Sequence, residues 1–172
     1  MATTVNNYNT LIRLVWLYDT TTIDDTDTID SAVMSVWGSA ALIDELTSAM
    51  VLNLVSSAPA SNTALANGDY ATASFGTTKF VTGGFAHASW ANGAYNAFTL
   101  NADGLTNISK TVVSKFGGRT DHDIDNVAPG GPFTSTNRDY TQGLFAEAVG
   151  TTTDPKLVIQ HSVAFVPRLT IF

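Results

Sequence analysis

The chain has 172 residues, of which 44% are hydrophobic and 13% are charged, so it is long and apolar enough to form one globular domain with its own core. Its formal net charge of −7 argues against nucleic-acid binding and against anionic membranes, and no stretch approaches the roughly 20 apolar residues of a membrane span. The absence of cysteine excludes disulfides and thiolate metal sites. With few charges available, Thr, Ser, Asn and Gly must cover much of the surface, which is typical of β proteins.

The first part of the chain begins with ten polar residues that are expected to form an arm and that lack the basic and apolar regions of a signal peptide. Leu11 to Tyr18 is apolar on both faces except at Arg13. This pattern predicts a central strand, with the guanidinium at the end of the sheet or on a carboxylate partner. Ile29 to Trp37 is the next predicted strand and ends at Gly38, after which residues 39–46 fit either a short helix or a long connection.

The middle of the chain alternates short apolar stretches with turn residues. Ala49 to Ser56 predicts a strand, and Lys79–Thr82 and Phe85–Trp90 predict two more that are joined at Gly83-Gly84.

The alternation from Tyr95 to Leu100 predicts a half-buried strand in which every second side chain from Asn96 onward shares one face. Asp103 is a candidate N-cap for a single helical turn whose apolar side is formed by Leu105 and Ile108. A unit of this kind needs a second sheet to bury its apolar side, so it predicts a layered β domain.

The last third of the chain predicts further strands. Thr111 to Phe116 leaves through Gly117-Gly118 into a long loop, and Tyr140–Val149 and Lys156–Ser162 follow. A total of about eight to ten short strands at these intervals predicts an all-β fold, an antiparallel β-sandwich or jelly roll with one short helical turn.

The predicted organisation is a polar arm (residues 1–10), a β-sandwich domain (residues 11–162) and an apolar C-terminal strand or arm (residues 163–172). The closing sequence AFVPRLTIF would be costly to leave exposed. It either completes its own sheet as an edge strand or adds to a neighbouring chain. The candidate interface residues are Phe165, Leu169, Ile171 and Phe172.

Four motifs occur in a specific order: RLVWLYDT (13–20), TIDSAVMSV (28–36), YNAFTLNADGL (95–105) and TTDPKLVIQHS (152–162). In this order they resemble a β-sandwich domain of bacteriophage structural proteins, tail fibres among them, which is itself similar to carbohydrate-binding modules. The resemblance covers most of residues 11–162 and carries over no catalytic residue.

The resemblance implies a non-enzymatic virion protein, a capsid decoration or small fibre-like component, made in the host cytoplasm and acting by self-association and surface display. Its expected partners are copies of itself, with a trimer among the candidates, and other virion proteins such as a major capsid or tail protein. The alternative is a carbohydrate-binding module that recognises a host-surface glycan. A hydrolase is disfavoured because no paired acid and base motif stands out.

Aromatic side chains supply the candidate glycan site, because they offer an apolar face and a polar edge to a sugar ring. The candidates are Trp90, Phe133 and Tyr140, with Tyr95 as a further member of the platform. Phe133 lies within a Gly/Pro-rich loop and is expected to be exposed. Core packing is the alternative for Trp90 and Tyr95.

Two acidic stretches are candidates for structural calcium, and no other cofactor is expected. Asp121, Asp123 and Asp125 form D-x-D-x-D but lack the Gly and the bidentate Glu of an EF-hand, which leaves another oxygen-rich Ca²⁺ site. The stretch from Asp24 to Asp30 fits either Ca²⁺ or a turn in which Asp and Thr side chains bond nearby amides. The three histidines match no zinc motif.

Overall fold

The computed structural model describes residues 10–47, 49–131, 137–147 and 149–163, which form two antiparallel sheets. The prediction of an all-β, sandwich-like fold is confirmed. Its strands are β1 (Leu14–Tyr18), β2 (Thr28–Asp44), β3 (Val51–Ser56), β4 (Phe85–Ala86), β5 (Tyr95–Thr99), β6 (Ser114–Thr120), β7 (Asp139–Gly143) and β8 (Lys156–Ser162), and its helices are α1 (Ala102–Thr106) and α2 (Asp121–Ile124).

The first sheet has the strand order β1-β6-β3-β4, so the prediction that the first strand is central is wrong. Among the described strands β1 pairs with β6 alone, with Leu14 opposite Gly118. Its apolar character on both faces has another cause. Aromatic residues of the long loop after β3 cover the outer face at this point, and the Arg13 guanidinium lies 5.0 Å from the Tyr70 ring and 5.8 Å from the Phe75 ring.

The second sheet is built on β2, which pairs with β5 on one edge and with β8 and then β7 along the other. The predicted end of this strand at Gly38 is wrong, and residues 39–44 continue it rather than forming a helix or a connection. Gly38 remains inside the ladder because its N–H donates to Ala94 O at 2.9 Å and its carbonyl accepts from Gly93 N at 2.8 Å. A Cβ at this position would collide with Ala91 O and would lie 3.0 Å from Trp90 Nε1, so the glycine is required for the close approach of the Ala91 backbone.

The core lies between the sheets, where alternation along β2 and β5 places every second side chain, as predicted. Twelve buried residues form one cluster: Trp16, Ala32, Met34, Val36, Leu54, Phe80, Val81, Trp90, Phe98, Leu100, Ile108 and Phe116. Leu105 packs against this cluster, so the predicted apolar side of the helical turn is confirmed. The N-cap of that turn is Asn101 and not Asp103, because Asn101 Oδ1 accepts from Gly104 N at 3.0 Å.

The prediction that this strand ends before Gly117-Gly118 is wrong, because β6 runs through the glycine pair to Thr120. Aromatic rings lie against both faces of the strand here. A Cβ on Gly118 would lie 2.7 Å from the Trp16 ring, and a Cβ on Gly117 would collide with the ring of Phe75.

The other boundaries follow the prediction in part. β8 has the predicted bounds, whereas β7 is shorter than the predicted Tyr140–Val149 strand, and residues 79–82 form a turn into β4 instead of a strand. The terminal segments 1–9 and 164–172 lie outside the described residues, together with the interface candidates Phe165, Leu169, Ile171 and Phe172. Within the described part of the chain, no helix has the length and apolar content needed to span a membrane.

Candidate functional site

Three ionised side chains form a buried group on the outer face of the first sheet, called here the arginine–aspartate cluster: Arg13, Arg119 and Asp123. Arg13 donates from Nε to Asp123 Oδ2 at 2.8 Å and from Nη2 to Oδ1 at 2.7 Å. Arg119 donates from Nε to Oδ2 at 2.6 Å. The exposed fractions of the side chains are 7%, 1% and 5%, so these ion pairs are buried ones. The predicted carboxylate partner of Arg13 is confirmed.

The remaining donors of the arginine–aspartate cluster are also bonded. Arg13 Nη1 donates to Tyr70 O at 2.8 Å, and Arg119 Nη1 donates to Gly76 O at 3.0 Å. Burial raises the pKa of Asp123, but hydrogen bonds from Arg13 and Arg119, followed by their positive charges, lower that pKa to about 2. The carboxylate is therefore ionised at neutral pH and fully engaged, which suits it to joining β1, β6 and α2 and not to proton transfer.

The other two members of D-x-D-x-D bond to separate partners. Asp121 Oδ1 accepts from Val51 N at 3.0 Å. Asp125 Oδ2 pairs with Lys79 Nζ at 2.8 Å on the surface. Within the described ranges, no three His, Asp or Glu side chains group in a way that could hold a metal ion. Structural calcium remains a prediction.

The second acidic stretch is ordered by its own side chains. Asp24 Oδ1 accepts from Thr26 Oγ1 at 2.6 Å and from Thr26 N at 2.9 Å, and these bonds lower the pKa of Asp24. The turn interpretation is thus confirmed for Asp24. The buried Asp27 differs, because its Oδ2 lies 2.6 Å from His161 Nδ1 and ties the end of β8 to this turn.

Two of the predicted glycan residues line one cavity of about 1420 Å³, called here the inter-sheet cleft, to whose walls β1, β2, β3, β6 and β7 all contribute. Trp90 is buried in the core, which confirms core packing for this residue. Tyr140 is half-buried and has the Arg138 guanidinium 5.4 Å from its ring centre. Phe133 lies outside the described residues. Tyr95 packs edge-on against Trp37 at 5.1 Å, and it is not part of this wall.

Sequence reasoning did not identify the polar atoms of the inter-sheet cleft. Trp16 Nε1, Trp90 Nε1 and His122 Nε2 are buried, belong to residues that line the cleft, and have no hydrogen-bond partner among the described residues. No local signal marks them, since an inward-facing tryptophan has the same pattern whether or not its N–H is bonded. Since His122 Nδ1 faces Val127 O, Nε2 of the neutral ring is an acceptor, whereas the two indole N–H groups are donors. The cleft therefore combines apolar walls with unpaired polar atoms, a combination typical of small-ligand sites.

The fold and the site geometry define the class of this protein as an antiparallel β-sandwich. Comparisons with protein-family models, with curated proteins and with solved structures find no match to this chain. The fold class therefore rests on the described geometry alone.

Proposed function

We propose that this chain is a non-enzymatic structural component of a phage virion that acts by self-association along an edge of its second sheet. The observation that carries the proposal is the position of β8. This strand pairs with β2 on one edge, and its other edge meets no strand of the described chain. An unpaired edge presents a row of N–H and C=O groups on which another chain can add a strand.

The outer face of β8 favours such an addition. Leu157 and Ile159 pack against the core, whereas Val158 is 53% exposed and Val163, just beyond the strand, is 81% exposed. Exposed apolar side chains on an unpaired edge lose contact with water when a second strand covers them. The apolar sequence that follows extends the same character.

The virion setting is supported by the order of the four sequence motifs, by the low charge content and by the Thr-rich, Ser-rich surface. Immunogold labelling of intact phage particles would test this setting. Label on the particle surface is the expected result, and label confined to the soluble fraction of the lysate would contradict it.

Sedimentation equilibrium over a range of concentrations would test self-association. We expect oligomers of the unmodified chain and a shift toward monomer for Val158→Lys, because a charge on the contact surface must be desolvated. Val112→Lys is the matched control, since Val112 is 61% exposed in the loop before β6. A monomer at every concentration, or equal behaviour of the two variants, would contradict the proposal.

Glycan binding in the inter-sheet cleft is the second candidate function, and it is favoured by the unpaired indole N–H groups of Trp16 and Trp90, which line the same cleft as Tyr140. A glycan array would test it, with Tyr140→Ala expected to remove binding. Tyr70→Ala is the control, since Tyr70 lies on the loop over the outer face of the first sheet. Binding to no glycan, or equal loss in both variants, would remove this candidate.

A further inference from the structure

Asn53 has a buried carboxamide whose hydrogen-bonding groups are unused within the described protein. The residue is 2% exposed, and neither Oδ1 nor Nδ2 has a hydrogen-bond partner there. Leaving a buried donor and acceptor unpaired is costly, and native proteins almost always satisfy such groups with protein, water or a ligand. The position therefore calls for a partner from outside the described chain.

The carboxamide faces a pocket on the outer side of the first sheet. Leu52 and Leu54 pack into or against the core, so alternation along β3 directs Asn53 to the opposite face. There it lines a cavity of about 410 Å³, called here the outer-face pocket. This volume lies in the lower part of the range of roughly 300–1,000 Å³ for small-molecule sites.

The turn that enters β4 packs directly against the carboxamide. Gly83 and Gly84 both have positive φ, at 72° and 67°, a conformation that suits glycine. A Cβ on Gly84 would lie 2.9 Å from Asn53 Oδ1. Such a Cβ would collide first with Val51 Cγ1, so glycine at position 84 is what lets the turn pack this closely on β3 beside the carboxamide.

The charges around the outer-face pocket balance and so favour a neutral ligand. Asp121 and Lys79 both line it. Lys79 is already paired with Asp125, and the carboxylate of Asp121 is offset by the net positive charge of the neighbouring arginine–aspartate cluster. Arg119 stands directly opposite Asn53 in the β3–β6 register, and its positive charge opposes a divalent cation at this position. A single anion would meet the carboxylate of Asp121.

We infer that the outer-face pocket binds a small neutral polyol of monosaccharide size through paired hydrogen bonds from the Asn53 carboxamide to two adjacent hydroxyl groups. The carboxamide presents one acceptor and one donor side by side, and a vicinal diol presents the complementary pair. Asp121 uses Oδ1 for Val51 N and retains a second carboxylate oxygen. Val51 and Val81 supply apolar surface for the C–H face of the ring. Asn53 also lines the inter-sheet cleft, but the inference uses the lining of the outer-face pocket and does not rest on self-association.

A ¹H–¹⁵N NMR titration of the full chain with methyl glucoside, methyl galactoside and methyl mannoside would test the inference. We expect saturable shifts of the Asn53 side-chain amide and of the Gly84 N–H with at least one glycoside, with a dissociation constant in the millimolar range. Asn53→Leu should weaken this binding at least about tenfold, because it removes the donor and the acceptor together. Asn62→Leu makes the same change at an exposed loop position and should leave binding unchanged.

A second variant keeps the test decisive if Asn53→Leu folds poorly. Asp121→Asn retains an acceptor for Val51 N and should weaken glycoside binding several-fold. A parallel titration with CaCl₂ distinguishes a cation site, because saturable shifts at Asn53 with calcium alone would overturn the inference. Absence of any glycoside effect at Asn53, or equal binding by Asn53→Leu and Asn62→Leu, would overturn it as well. None of these outcomes depends on the oligomeric state measured for the proposed function.

Discussion

Two neighbouring residues of the first sheet have buried polar side chains, and one of them is fully hydrogen-bonded whereas the other is not. Asn53 and Arg119 are directly opposite each other in the β3–β6 register, so their side chains share one face. They are 2% and 3% exposed. Arg119 bonds to Asp123 and to Gly76 O, whereas the carboxamide of Asn53 bonds to no group of the described chain. Equal burial therefore does not imply an equal role. A buried side chain with all its hydrogen bonds made has a structural role, whereas one with unpaired polar atoms is a candidate for ligand binding.

Asp123→Ala should produce the largest effect, because it leaves two buried guanidinium groups without their counter-charge. Removing one partner of a buried ion pair costs about 3–5 kcal/mol in free energy of unfolding. Urea denaturation followed by tryptophan fluorescence would measure this loss. Asp125→Ala is the matched control two residues away, and its exposed pair with Lys79 should cost no more than about 1 kcal/mol. Similar losses in free energy of unfolding for both variants would show that the arginine–aspartate cluster contributes no more to stability than the exposed ion pair.

Gly118→Ala should produce the next largest loss in stability. It tests the packing of β6, the strand that places Arg119 opposite Asn53. A Cβ on Gly118 would lie 2.7 Å and 2.9 Å from two atoms of the Trp16 ring. Overpacking of this kind costs about 1–3 kcal/mol. Gly68→Ala is the control, because a Cβ there meets no atom within 4 Å. If thermal denaturation gives the same stability for both variants, the packing of Trp16 on β6 is looser than described.

Lowering the pH should weaken the arginine–aspartate cluster and leave Asn53 unaffected. The folded-state pKa of Asp123 is about 2, below its ordinary value of 3.8, so its contribution is present above pH 4 and is lost as the pH falls through 2. Allowing for solvent screening, that contribution is on the order of 1–2 kcal/mol. Urea denaturation at pH values between 5 and 2 would measure it. The slope should be shallower in Asp123→Asn, and an unchanged slope would contradict the assignment.

The difference between these two positions also shows what the sequence can and cannot predict. Alternation identified β8 and the inward face of β5, because a period of two follows directly from one buried face. The apolar pattern of Leu11–Tyr18 also required a partner for the charge of Arg13, but its identity could not be read, since Asp123 lies 110 residues away.

Other features depend on neighbours that only the folded chain brings together. Gly38 and Gly118 have the sequence pattern of strand ends, yet they lie within strands, where Ala91 O and the Trp16 ring respectively leave no room for a Cβ. Asn53 carries no local signal at all. Its role depends on the turn at Gly83-Gly84 and on the absence of a bonding group on the described chain around it, neither of which is encoded in the residues beside it.

Asn53→Leu should have the smallest effect on the stability of the ligand-free protein, and it tests the comparison most directly. Replacing an unpaired carboxamide by an apolar group of similar size removes a desolvation cost, so the free energy of unfolding should stay constant or rise by up to about 1 kcal/mol. Asn96→Leu is the matched control, because Asn96 is also 2% exposed but bonds Ala91 N at 2.7 Å and Ala91 O at 3.0 Å. That variant leaves the N–H and C=O groups of Ala91 without their side-chain partner, and because these bonds are part-buried it should lose about 1–3 kcal/mol in total. Parallel urea denaturations would separate the two. If Asn53→Leu were as destabilising as Asn96→Leu, the Asn53 carboxamide would be satisfied within the fold and would not be a candidate ligand-binding group.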